Sequence, residues 1–260
     1  MKTLTRTEFF NLMKKDCHSQ KDYLIALLEL RGFLLEKRES IVYLSDNGHK
    51  DDAEYLNSLL IKYRLGCVSN NTLVIEEDMD ASLFEEEFAE NKTVGGEVCI
   101  TATDWSWFRH REHGEKVPVE WLEPFIARYV KAISASCVLT AGCCDGNHPG
   151  RDKMFLQLSG QGSIPWHRVI CKYLLDDRFD IKWINDYTAV KITPDTKYDM
   201  YYELNKAAQV IYNNRIKLRT VKDKVLREMK KGYLRRSAPA VIETEFIDKV
   251  SVLLKTIKEG

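Results

Sequence analysis

Two cysteine–histidine pairs are the residues whose types and spacing first suggest chemistry. Cys144 is followed four places on by His148, and His167 four places on by Cys171. On a helix, His167 and Cys171 share a face. Two thiolates and two imidazoles would suit tetrahedral zinc. The pair Cys144/His148 spans the end of an element, however, and buried free cysteines are common without any metal. A second chemical stretch is "DWSWFRHREH", Asp104 to His113, which interleaves three aromatics with two arginines and two histidines. Base stacking and phosphate contact need that mixture. A linker pinning its aromatics onto a core has the same composition.

Charge is distributed unevenly. Lysine plus arginine equals aspartate plus glutamate at 39 each, so the formal net charge is zero. Glu76 to Glu90 nevertheless holds eight acids and no base, and Arg215 to Arg236 holds ten bases against Asp223 and Glu228. Such a chain can present one basic face, with Arg215, Lys217 and Arg219 placed to follow a phosphate backbone, although solvated charge is the usual cause of such runs. The seven cysteines are odd in number and irregularly spaced. Reduced thiols in an intracellular, cytoplasmic setting are therefore expected. No stretch approaches the roughly 20 apolar residues of a membrane span, and the first fifteen residues lack a signal-like apolar core.

The elements that must position these groups are legible from periodicity. Helices are expected over 3–16, with Thr5 or Thr7 as cap, and over 20–31, ending at Gly32. Strands follow near 33–36 and 40–45, then a helix through Ala53, Leu56, Leu59, Leu60 and Tyr63. A hairpin turning at Asn70-Asn71 comes next. After the acidic run, one strand is expected near 97–103, then a long helix over 119–142. A Gly/Pro/Asn turn, the strand "MFLQLSG" and a helix from about Ser163 come after it, and a last hairpin closes over Asn185-Asp186. The tail is helical: an apolar side from Tyr198 to Ile211 behind Pro194, the basic helix, and a final helix through Phe246, Val250 and Ile257. Two copies of one supersecondary unit are implied. In the strands, Tyr43, Ser45, Gln157, Ser159, Lys182, Tyr187 and Lys191 alternate with apolar neighbours. That polar set would read a groove, or simply face water.

These residues resemble the LAGLIDADG homing-endonuclease family. Thr140 to His148, "TAGCCDGNH", lies along its nine-residue motif, matching at Ala141, Gly142 and Asp145. Leu24 to Gly32, "LIALLELRG", matches at Leu24, Leu27, the acid Glu29 and Gly32. The resemblance covers about 20–76 and 119–193. It implies an α+β fold of two pseudo-symmetric αββαββ halves forming saddle-like antiparallel sheets, plus a helical C-terminal tail. The division would be 1–92 for the first half with its acidic linker, 93–210 for the second, and 211–260 for the basic tail. Small residues, Ala26, Ala141 and Gly142, would let two motif helices touch, with their ends side by side. The family holds divalent metal with a carboxylate at the eighth motif position of each half, where Mg²⁺ finds hard oxygen ligands. Here those positions are Arg31 and Asn147. Glu29 and Asp145 stand two places earlier, about 200° away around a helix, so they do not simply replace the pair.

The resemblance thus implies a nucleic-acid binder of impaired cleavage chemistry, monomeric, acting on double-stranded DNA or structured RNA. An active endonuclease using Asp145, Glu29 and Asn147 with Mg²⁺ is the second expectation. Zinc on Cys144, His148, His167 and Cys171 is the alternative metal, and the order Asp145-Gly-Asn-His148, strand, His167 is also similar to a ββα-metal nuclease. A protein–protein module docking through the acidic run 76–90 is the third. No phosphate-binding glycine loop or nucleophile elbow is present.

Overall fold

The computed structural model describes residues 4–46, 48–90, 117–138, 140–148, 154–158, 166–167, 169–171, 179–184, 187–192 and 197–229. The expected strand near 97–103, the stretch Asp104–His113, Pro194 and the last apolar helix lie outside the described residues.

Helix α1 (Arg6–Lys15) begins at Thr5, whose hydroxyl accepts the Glu8 amide while the Glu8 carboxylate accepts the Thr5 amide at 2.9 Å. This reciprocal cap satisfies two of the amides that a helix start leaves orphaned. Helix α2 (Gln20–Leu30) is capped by Ser19 and buries Tyr23, Leu24, Leu27, Leu28 and Leu30. Strands β1 (Leu35–Arg38) and β2 (Ile41–Leu44), helix α3 (Asp52–Lys62), and strands β3 (Gly66–Ser69) and β4 (Thr72–Ile75) follow. Asn70 and Asn71 both take left-handed φ, 50° and 60°, between the paired Ser69 and Thr72. A tight two-residue hairpin requires that geometry, and asparagine tolerates it. The acidic run then forms a 3₁₀ segment, Ala81–Phe88, with Ala81, Phe84 and Phe88 buried.

A 3₁₀ turn at Val119–Trp121 leads into α4 (Pro124–Ala135), with Pro124 in the first turn where its missing amide costs nothing. Strands β5 (Thr140–Cys144) and β6 (Phe155–Leu158), helical residues Trp166, His167, Val169, Ile170 and Cys171, then β7 (Phe179–Ile184) and β8 (Tyr187–Ile192) follow. Both sheets are four-stranded and antiparallel, in the orders β1-β2-β4-β3 and β5-β6-β8-β7. The fold is α+β. Helices α5 (Lys197–Asn213) and α6 (Arg215–Met229) complete the described chain, and no helix among the described residues is long and apolar enough to cross a membrane.

The helix expected over 119–142 is corrected at both ends. It starts at Pro124 and stops at Ala135, and "TAGCC" is an edge strand rather than a helix terminus. The stop is a chain reversal at Cys137, φ 68°, with the Val138 amide returning to the Ile133 carbonyl at 2.9 Å. Helix α2 ends in the same way at Gly32, φ 104°, with Phe33 returning to Leu28, and α3 at Arg64, with Leu65 returning to Leu60. This six-residue closure satisfies terminal carbonyls and turns the chain sharply into a strand. At α4 the remaining carbonyls take long-range donors: Trp166 Nε1 to Ser136 O at 2.7 Å, and Arg219 Nε to Ala135 O at 2.8 Å.

Two apolar cores result. One gathers Leu24, Leu27, Leu56, Leu60, Phe84 and Phe88; the other gathers Ile126, Tyr129, Trp166, Ile170, Leu204 and Ile211. Helix α4 serves both, giving Phe125 to the first and Ile126 to the second, and α5 does the same with Tyr201 and Leu204. Leu218 and Val221 of α6 are buried in the second core, so the basic helix is docked there by its apolar side. The end of α2 rests on the start of α4, not on its end as the aligned motifs implied. A Cβ added at Gly32 would lie 2.8 Å from the Ala127 Cβ.

Gly32→Ala is therefore expected to lose about 2–4 kcal/mol in urea unfolding, combining a positive φ with a clash against α4. Cys137→Gly relieves the same backbone conformation and is expected to be neutral or to gain up to about 1 kcal/mol.

Candidate functional site

The chain start of α4 and the turn after β5 meet in one buried polar cluster. Glu123 stands at the helix N-cap without capping it. Asp145 does so from across the fold, with Oδ2 accepting the Phe125 amide at 3.2 Å and Oδ1 accepting the Asn147 amide at 2.7 Å. A carboxylate there also meets the positive end of the helix dipole. The Asp145 amide donates to Glu123 Oε2 at 2.6 Å, and Tyr201 donates its hydroxyl to the Asp145 carbonyl at 2.7 Å. Burial, and then the neighbouring Glu123 carboxylate, push the Asp145 carboxyl up to about 7. The Asn147 side-chain amide donates to the carbonyls of Ala89 and Phe88, so it holds the acidic segment to this turn.

Cys144 and His148 join Glu123 rather than the second cysteine–histidine pair. The three ligand atoms lie within 4.8 Å of one another. His148 Nε2 sits 2.7 Å from Glu123 Oε1, and Cys144 Sγ accepts the Gly146 amide at 3.3 Å. Burial first, and the Glu123 carboxylate behind it, push the Cys144 thiol up to about 11. His167 and Cys171 do meet, 3.7 Å apart on one helical face, but their companion is Tyr129, whose hydroxyl is 2.8 Å from His167 Nε2. The expected four-residue zinc set is thus split into two clusters. A spacing argument recognises each pair, but it cannot tell which pairs converge.

The aligned catalytic residues are each engaged by the fold, and only Asp145 and Asn147 touch one another. Glu29 pairs with Arg128 at 2.5 Å, and Arg128 also reaches Asn205 and Gln209 of α5. Asp145 is spent on amides, and Asn147 on carbonyls. Arg31, at the motif position where the family carries an acid, is 3% exposed. Its guanidinium donates to the carbonyls of Val119 and Leu122, to the Tyr55 hydroxyl, and to Glu87 at 3.2 Å. Beside it lies a second buried tie, Lys131 of α4 to Asp52 of α3 at 2.9 Å, with Asp52 also accepting the Val119 amide. In the acidic run, Glu85 accepts from Tyr23, and Glu87 from Arg31, Tyr55 and Tyr63. Glu123, Arg128, Lys131 and Asp52 escaped sequence reasoning. Glu123-Pro124 does mark a helix start, but nothing local names the partners.

The groove-reading candidates divide into two groups. In the first sheet the register puts Glu36, Arg38, Ile41, Tyr43, Cys67, Ser69, Thr72 and Val74 on the face away from Val42, Leu44 and Leu73. Arg38 lies over the Tyr43 ring at 5.4 Å, and Ile41 and Val74 are exposed. Ser45 is not part of that open face. It is buried, donates to Glu36 Oε1 at 2.6 Å, and lies near Tyr212 and Arg215. The Ser45 hydroxyl, helped by Arg38 and Arg215, holds the Glu36 carboxyl below its ordinary range. Arg215 stacks on Tyr212, Arg219 caps α4, and Lys217 is exposed. In the second sheet Lys182 pairs with Ala189, Tyr187 with Ile184 and Lys191 with Asp180 in one set of positions. Gln157 pairs with Gly142. Ser159 lies outside the described residues.

Breaking the Asp52–Lys131 pair with Asp52→Ala is expected to cost about 3–5 kcal/mol, because it removes the carboxylate that faces a buried ammonium and accepts the Val119 amide. Adding Lys131→Met should recover part of that loss, and a double-mutant cycle in urea measures the coupling. With burial pushing its thiol up to about 12, Cys171 should resist alkylation at pH 8 in the folded protein while exposed Cys67 reacts, as peptide mass mapping would show. Compared with protein-family models, characterised proteins and solved structures, the chain finds no match.

Proposed function

We propose that this protein binds nucleic acid across the outer faces of its two sheets. The scaffold would be a LAGLIDADG-like pair of αββαββ halves without strand-cleaving chemistry. One observation carries the reading: the neighbour orders β1-β2-β4-β3 and β5-β6-β8-β7 are the same order, and each sheet follows a helix closed by the same six-residue reversal. Strand β5 stands where a helix end was expected and forms the outer strand of the second sheet, which supports the likeness.

The same reversal fixes which residues end the two helices. Gly32 and Cys137 occupy the left-handed position, so Arg31 and Ser136 precede it. Neither is a carboxylate, and Mg²⁺ needs oxygen ligands of that kind. Both residues are buried. The open face of the first sheet offers what a duplex groove or a folded RNA would meet: Arg38 above Tyr43, with Ser69 and Thr72 beside them. Lys217 adds a cation on α6. Cations contact phosphate, and hydroxyls and aromatic rings contact base edges and sugars.

Gel-shift titrations on duplex DNA and on structured RNA at 50–200 mM salt should show binding that weakens steeply with salt. Arg38→Ala should lower the slope of log affinity against log salt by about 1. Tyr43→Ala should weaken binding without changing that slope. Plasmid DNA should stay intact in Mg²⁺. Absence of any shift at low salt on both substrates would remove the reading, and specific cleavage would replace it with an endonuclease.

A further inference from the structure

We propose that Glu123, Cys144 and His148 form a binding site for a zinc ion that ties the end of β5 to the start of α4. The inference does not rest on nucleic-acid binding: none of the three is among the residues proposed to meet nucleic acid, and the metal can be titrated without it.

The donor set selects the metal. A thiolate, an imidazole and a carboxylate converge within 4.8 Å, and that mixture of sulfur, nitrogen and oxygen is one that zinc accepts. Magnesium and calcium take oxygens only. Bond lengths of about 2.0 Å to nitrogen and oxygen and about 2.3 Å to sulfur set tetrahedral donors roughly 3.3–3.6 Å apart. The triangle therefore needs shifts of about an ångström, which a side-chain torsion supplies. His148 Nε2 and Glu123 Oε1, at 2.7 Å, must open slightly to admit the ion.

A second observation points to a ligand. The His148 side chain is 1% exposed, yet its Nδ1 has no hydrogen-bond partner. Buried polar atoms are rarely left so. The Nε2 held 2.7 Å from Glu123 Oε1 is the nitrogen that faces the cluster.

Charge and support are also in place. Zinc binding displaces the Cys144 proton to solvent, and the resulting thiolate with the Glu123 carboxylate neutralises the dication. Glu123 is oriented by the Asp145 amide on Oε2 at 2.6 Å, an outer contact of the kind that fixes ligands in metal sites. Asp145 itself is fastened by two backbone amides and by Tyr201, so the frame around the ion is rigid. The fourth position is filled by water, since both Asp145 carboxylate oxygens are held by amides. Near-complete burial of Cys144 and His148 makes this a structural site.

The test uses the full chain, stripped with a chelator and titrated with zinc and, separately, with cobalt. One equivalent of zinc should bind, with a rise in Tm. Cobalt should give thiolate-to-metal charge-transfer absorption and the visible bands of tetrahedral coordination. Cys144→Ser should abolish the charge-transfer band, and His148→Ala should weaken zinc at least about tenfold, while Cys171→Ser changes neither. Should the Cys144 and His148 variants fail to fold, the wild-type cobalt spectrum still decides. A spectrum without thiolate coordination, or zinc uptake unchanged in both variants, would overturn the proposal.

Discussion

A helix in the middle of a protein cannot leave its ends to water, and α4 is such a helix. Its first amides and last carbonyls are orphans of the helical pattern, and each orphan left buried costs on the order of 1–3 kcal/mol. Asp145 takes the amide at one end; Trp166 and Arg219 take carbonyls at the other. The body of the helix is tied as tightly. Arg128 reaches Glu29 and α5, Lys131 reaches Asp52 of α3, and Tyr129 reaches His167. Most described elements outside the sheets thus meet one another through α4, which also lends apolar side chains to both cores.

That constraint decides what the polar residues nearby can do. A carboxylate that caps a helix is held by amides and has little freedom to act as a base or to carry a labile metal. Asp145 and Asn147 are used in this way, and Glu29 is used against Arg128. Glu123 differs. Relieved of capping by Asp145, it turns its carboxylate toward His148 and Cys144. The cap supplied from a distance and the donor cluster are two results of the same arrangement.

What could be read from the residues was local. Thr5 with Glu8, the closing Gly32, the Asn70-Asn71 turn and the β7–β8 hairpin each carry their cause within a few positions, and the structure follows them. The end of α4 could not be read. Glycine at 142 looked like a stop, whereas the stop is Cys137 in a conformation that glycine usually takes, fixed by Trp166 and Arg219 from far along the chain. The acidic run read as a linker or a docking segment. Its period hid the alternation in which Phe84 and Phe88 turn inward while Glu85 and Glu87 bind Tyr23 and Arg31. Arg31 read only as a base where the family carries an acid, and nothing local named its partners, which lie in three other segments.

Arg31 also shows why a carboxylate at this helix end is not one substitution away. The guanidinium satisfies two backbone carbonyls and a hydroxyl and neutralises Glu87, all in surroundings nearly closed to water. An aspartate in its place would leave those carbonyls bare and set a second buried anion near Glu87. Either fault alone is of the size that destabilises a domain by several kcal/mol. A metal could offset the added charge only by also coordinating the two carbonyls that the guanidinium now satisfies. The residue that removes an expected metal ligand is therefore the residue that holds α2, α3 and the entry to α4 together. The rigidity of the helix junction thus rests on a cation at this position.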